Sequence, residues 1–141
     1  MSGFLLDTNC ISEVVRAKPE PRVLEWMDEA DESLLWLSVL TLGEIRKGVA
    51  TLPPSRRRTL LETWLDVDLK SRFAGRILSI DVGVADRWGQ LSAEAKRKGK
   101  PLSVIDGLLA ATALHYNLTI VSRNVGDFAG TQVPILNPWE I

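Results

Sequence analysis

A chain of 141 residues with 45% apolar and 25% charged residues fits one soluble globular domain and excludes a disordered tail. At this length a single core hides roughly two thirds of the surface of the unfolded chain, so folding needs neither disulfides nor a structural metal. With 17 basic against 18 acidic residues the net charge gives no argument for a nucleic-acid partner, while one cysteine (Cys10), no signal-like start and no membrane-length apolar run point to the cytoplasm.

Residues 1–141 read as one domain, because no repeat, low-complexity stretch or polar linker interrupts them. The apolar run Phe4-Leu5-Leu6, bounded by Gly3 and Asp7-Thr8-Asn9, predicts a buried first strand. Asn9 is placed to cap a helix from Cys10 to about Ala17, and Pro21 opens another carrying Val23, Leu24 and Met27. Leu34 to Leu37 predicts a second strand, and a helix from about Leu40 to Leu52 follows, stopped by Pro53-Pro54 and containing Glu44. Ser55 to Phe73 is helical in pattern and Ile77 to Ile80 is strand-like. Residues 83 to 98 form an amphipathic helix, and Ser103 caps another running to about Tyr116. Leu118 to Val121 is a fourth strand, and Ile135-Leu136 adds a short fifth.

Short apolar strands alternating with helices imply an α/β/α sandwich around a mainly parallel central sheet of four to five strands. In such sheets ligands bind beyond the carboxyl ends of the strands, where Asp7 and the loop Ser122–Asp127 are predicted to lie.

Most of the acids have polar or charged neighbours, but Asp7, Glu44 and Asp106 are embedded in apolar sequence. A carboxylate in such surroundings costs several kcal/mol unless it is paired or metal-bound. Each has a purely structural alternative: an Asx turn with Asn9 for Asp7, an ion pair with Arg46 or Lys47 for Glu44, and a first-turn acid beside a Ser103 cap for Asp106. Other chemistries find no footing. Structural zinc lacks ligands, and Cys10 and His115 carry no nucleophile–base signature. Walker A, GxGxxG and GxSxG sequences are absent. An oxygen-only carboxylate cluster suits Mg²⁺ or Mn²⁺, and so phosphodiester chemistry. The basic runs Arg56-Arg57-Arg58 and Lys96-Arg97-Lys98 with Lys100 are either solvated helix surface or a local field for phosphates.

Four ordered stretches, Leu5–Glu13, Leu37–Gly48, Asp106–Ala113 and Ser122–Phe128, resemble PIN-domain toxins of the VapC type, and the ending Leu136-Asn137-Pro138-Trp139 resembles the FitB-like subgroup. The resemblance implies a PIN-like fold and a metal-dependent endoribonuclease, the toxin of a type II toxin–antitoxin pair. In that pattern Asp7, Glu44 and Asp106 correspond to the first three acids. The fourth falls in the loop after strand four, where some members have an Asp at the position of Asn124 and others the Asn-x-x-Asp-Phe form seen here, so that Asp127 is the candidate acid and Asn124 is able to orient water or a ligand. Mg²⁺, or Mn²⁺, is then held by Asp7 and Asp106, with Glu44 and Asp127 completing the cluster directly or through water. Thr8 and Ser122 stand ready to position that water or the phosphate, and Arg46, Arg123 and the 96–100 stretch to carry the RNA backbone. The implied partners are RNA, a cognate antitoxin and a second copy of the chain, with no membrane. The competing function is a subunit of a toxin–antitoxin complex that binds operator DNA through the antitoxin, with catalysis incidental. A phosphotransferase using Asp7 would need a second Asp where the chain has Asn9.

Overall fold

The strands are apolar at nearly every position because the sheet is covered on both sides. The structure, a computed structural model, describes residues 3–141. Strands β1 (Gly3–Leu6), β2 (Leu35–Ser38), β3 (Ile77–Leu78), β4 (Leu118–Val121) and β5 (Ile135–Leu136) form one sheet in the order β3-β2-β1-β4-β5. All four pairings are parallel, as the strand–helix alternation predicts. Successive strand residues point to opposite layers. Leu6, Leu35, Leu37 and Val121 join one core, and Leu5, Leu118 and Ile120 join the other.

The first core is closed by α1 (Thr8–Glu13), α2 (Pro21–Glu29), α3 (Val39–Ala50) and α4 (Arg56–Thr63), and the short, exposed α5 (Lys70–Arg72) leads from there to Phe73 in the same core. Between α4 and α5 the helix widens into a π-helical stretch, Trp64–Leu69, which sets Leu65 and Leu69 in the core while Asp66 stays exposed. The sequence pattern over 55–73 shows the helix but not this widening. The second core is closed by α6 (Val82–Arg97) and α7 (Val104–His115). These two helices approach closely at Gly107, where a methyl group would lie 3.0 Å from Cδ1 and Nε1 of Trp88. That contact sets the depth of the first turn of α7, and with it Asp106.

The third strand ends at Leu78 instead of Ile80, and both ends of α1 differ from those the sequence predicts. Helix α1 starts at Thr8 with Asp7, not Asn9, as its cap, and ends at Glu13 instead of near Ala17. The early stop has a local cause. Glu13, buried to 3% exposure, accepts from the Arg16 guanidinium at 2.9 Å and from the Glu20 backbone N–H at 2.7 Å, which pulls the chain back around its carboxylate. The two-residue edge strand β3 is secured from outside by Arg76. Its guanidinium donates to the carbonyls of Glu32, Leu35 and Arg72, pairs with the Glu32 carboxylate at 2.9 Å, and lies 5.0 Å over the Phe73 ring. Among the described residues no helix is long and apolar enough to cross a membrane.

Candidate active site

The carboxyl ends of β1 and β4 are adjacent, and the sheet's hydrogen bonding continues one residue beyond each strand, to β4 from the first and to β5 from the second. Asp7 N–H donates to Val121 C=O at 2.9 Å, and Ser122 N–H to Leu136 C=O at 3.0 Å. Asp7 and Ser122 are therefore held by the sheet itself. In extended backbone, Asp7 caps α1 by accepting from Thr8 N–H on Oδ1 at 2.8 Å. Its Oδ2 accepts from the fully buried Ser122 hydroxyl at 2.8 Å.

The direction of that hydroxyl is dictated by its neighbours. Ser122 Oγ accepts from Asn9 Nδ2 at 3.2 Å and from Asn124 N–H at 3.0 Å. Both acceptor positions are then used, and the one proton is committed to Asp7. Asn9 also accepts from Arg123 N–H through Oδ1 at 3.4 Å, so its amide bridges α1 to the loop after β4. Sequence reasoning makes Asn9 a helix cap and misses this role. The available signal is an amide, with both a donor and an acceptor end, two residues beyond a strand-end acid.

Helix α3 starts directly after β2, capped by Ser38 Oγ on Leu40 N–H at 3.0 Å, and brings Glu44 to the same edge. There Glu44 Oε1 accepts from the Thr8 hydroxyl at 2.6 Å. The alternative ion pair of Glu44 with Arg46 is not formed, because Arg46 is paired with Asp66. Asp106 sits half-buried in the first turn of α7, its N–H donating to the Ser103 cap at 3.2 Å. Burial pushes the Asp7 carboxyl above its ordinary range, the nearby carboxylates of Glu44 and Asp106 push the same way, and the bonds from Ser122 and Thr8 offset part of the rise.

Asp7, Thr8, Glu44, Asp106 and Ser122 are thus gathered at one edge. Asn124 enters this network through its backbone N–H. Asp127 lies nearby in sequence on the 3₁₀ turn Val125–Phe128, with its side chain exposed and in no hydrogen bond among the described residues. As the side chains stand, no three acids among the described residues close on one ion position. Each of Asp7 and Glu44 is turned to its own hydroxyl donor, the arrangement expected of carboxylates that repel one another. The donor set is oxygen only, and no basic side chain is among the groups acting on Asp7. That chemistry fits a hard divalent cation.

Cys10 takes no part. Its thiol is buried, donates to Val121 C=O at 3.2 Å and is pushed up by burial and by Asp7, while His115 packs edge-on against Tyr116. Glu44 also stands between two surface grooves. One, of about 540 Å³, is flanked by Val39, Leu40, Lys47 and Ile105. The other, of about 230 Å³, is flanked by Arg16, Arg57, Leu61 and Trp64.

The chain and its fold are similar to those of known proteins. The PIN domain model matches residues 4–131. Toxin FitB of Neisseria gonorrhoeae is 40% identical over 136 residues, 96% of this chain and 98% of that protein. VapC ribonuclease Y4jK of Sinorhizobium fredii is 37% identical over 137 residues, 97% of this chain and 98% of that protein. The solved structures of FitAcB from Neisseria gonorrhoeae and of FitAB bound to an IR36 DNA fragment both superpose with a TM-score of 0.93, at 39% and 38% identity. Each alignment covers 98% of this chain, and 99% and 96% of the respective solved chains. The chain therefore belongs to the PIN-domain family, and within it stands with the FitB and VapC toxins.

Proposed function

We propose that this chain is a divalent-metal-dependent endoribonuclease, the toxin of a type II toxin–antitoxin pair, acting through Asp7, Glu44 and Asp106. The observation that carries the reading is a half-buried acid, Asp7, raised by burial and by two further carboxylates and met only by hydroxyl and N–H donors. Asp7 and Asp106 would hold Mg²⁺ or Mn²⁺, with Glu44 and Asp127 completing the set directly or through water. When bound, such an ion polarises a phosphoryl oxygen and lowers the pKa of a water. The chain's own residues do the rest. Ser122 and Asn9 fix the rotamer of Asp7, Thr8 orients Glu44, and the exposed Asn124 amide and Asp127 carboxylate would be available to water and phosphate.

The ribonuclease name carried by the Sinorhizobium relative supports RNA as substrate. A cognate antitoxin, a homodimer and a cytoplasmic setting belong to the same reading. The DNA-bound FitAB structure favours one further role, operator binding through the antitoxin. Purified protein should cleave single-stranded RNA with Mg²⁺ or Mn²⁺ and not in excess EDTA, and Asp7→Asn or Asp106→Asn should abolish cleavage while keeping the fold. Cleavage undiminished in EDTA, or in both variants, would overturn the assignment. A mobility shift of the upstream DNA only when the antitoxin is added tests the second role.

A further inference from the structure

Seven of the 17 basic side chains are held in ion pairs among the described residues: Arg16, Arg22, Arg46, Arg58, Lys70, Arg72 and Arg76. Of the others, Arg87, Lys96, Arg97, Lys98 and Lys100 all lie on α6 or just past its end. Two of these line a polar groove of about 280 Å³ running along α6. Arg87, Gln90, Glu94 and Lys98 form one wall, and Thr131 and Gln132 form the other. Gln132 occupies this wall in a left-handed conformation, φ 63°, which a side-chain-bearing residue adopts only at a cost.

The groove continues into a small pit of about 20 Å³ walled by Lys100, Leu102 and Ala129. Leu102 immediately precedes Ser103, the cap of the helix that carries Asp106. Ala129 immediately follows the turn that carries Asp127. The groove therefore runs out at the two segments that border the acids. Its volume is near the lower bound of small-ligand sites, roughly 300 Å³, which suits a single base or sugar–phosphate unit.

An acidic centre repels a phosphodiester, so the strand beside it needs cations. Unpaired Arg and Lys hold phosphates, while amide and carboxylate groups, offering donors and acceptors together, suit the edges of unstacked bases. We propose that this groove seats a nucleotide of single-stranded RNA flanking the scissile bond, with Arg87 and Lys98 on the phosphate and Gln90, Glu94 and Gln132 on the base edge. The proposal rests on the ribonuclease reading above.

The test uses the full chain and a short fluorescein-labelled single-stranded RNA of randomised sequence. Binding is followed by anisotropy in EDTA across a salt series, and cut positions are mapped after Mg²⁺ is added. Arg87→Ala with Lys98→Ala should raise Kd and lower the slope of log K against log salt by roughly 0.7 for each phosphate that is no longer neutralised. A control removing the same charge elsewhere, Lys18→Ala with Lys70→Ala, should leave the slope unchanged. Gln132→Gly, which suits the left-handed backbone, should keep the melting temperature and alter the base preference beside the cut. Equal slopes and equal cut patterns in all variants that still cleave RNA would overturn the groove and leave the nuclease reading standing. Equal losses in groove and control variants would also overturn it. Failure of the unmodified protein to bind or cut RNA would overturn both.

Discussion

Removing the Ser122 hydroxyl is the most informative single perturbation. Ser122→Ala deletes one bond to a carboxylate, 2.8 Å to Asp7 Oδ2, and the acceptor of two N–H groups, from Asn9 and Asn124. A hydrogen bond to a charged group contributes about 1.5–3 kcal/mol. The Asn9 and Asn124 donors are not fully buried and recover water, so they add little. The expected loss is about 2–3 kcal/mol, and at roughly 3 °C per kcal/mol for a domain of this size the melting point should fall by about 6–9 °C. Calorimetry or urea unfolding of the metal-free variant at neutral pH measures this. The charge-assisted share is isolated by repeating the change in an Asp7→Asn background, where the cost of Ser122→Ala should drop by about 1 kcal/mol or more. Equal costs in the two backgrounds would refute the argument, because the hydroxyl would then serve only to fold the loop after β4.

Asp7→Asn should stabilise the metal-free protein at neutral pH. A carboxyl whose folded pKa is raised carries a penalty above that pKa and none below its unfolded value, so the gain should vanish as pH falls towards the ordinary value of 3.8. A gain that grew on acidification would contradict the sign. For the fourth site, Asp127→Asn should weaken Mn²⁺ binding by calorimetry more than Asn124→Ala does, because an amide adds no negative charge; the reverse order would move the ligand to Asn124. Arg76→Ala should cost about 2–4 kcal/mol by urea unfolding, since it strips partners from three carbonyls and from Glu32. Arg76→Lys should recover little, a point charge being unable to replace the planar fork.

The sheet is legible in the sequence because a strand buried on both faces needs a nearly continuous apolar run, and Phe4–Leu6, Leu35–Leu37 and Leu118–Val121, broken only by Thr119, supply it. The acids are legible for the converse reason, as charges in apolar sequence. Networks are harder. Which of Asp7 and Asn9 caps α1 depends on Ser122, over a hundred residues away, because an Asn whose amide is occupied across the sheet cannot also close the helix end. Glu44 and Arg46 are two residues apart on one helix, and no local rule says that Arg46 turns to Asp66. That choice follows from where the α4–α5 segment packs. The widening at Trp64–Leu69 likewise reflects tertiary packing of Leu65 and Leu69, with no marker in local propensity.

These partnerships share an electrostatic consequence. Three of the arginines that lie within a few residues of the site or line its grooves are engaged elsewhere. Arg46 is held by Asp66, Arg16 by the buried Glu13, and Arg123 lies 5.6 Å over the Trp139 ring. A guanidinium released onto Asp7 or Glu44 would form the strongest class of hydrogen-bonded ion pair and cancel the charge that a divalent cation requires. The fold meets the needs of its acids with neutral donors instead: a serine, a threonine and a backbone N–H. Such bonds orient a carboxylate without neutralising it. The centre therefore stays anionic and open to an external cation, whether a metal ion or a basic side chain presented by a partner, and the two would compete for the same oxygens.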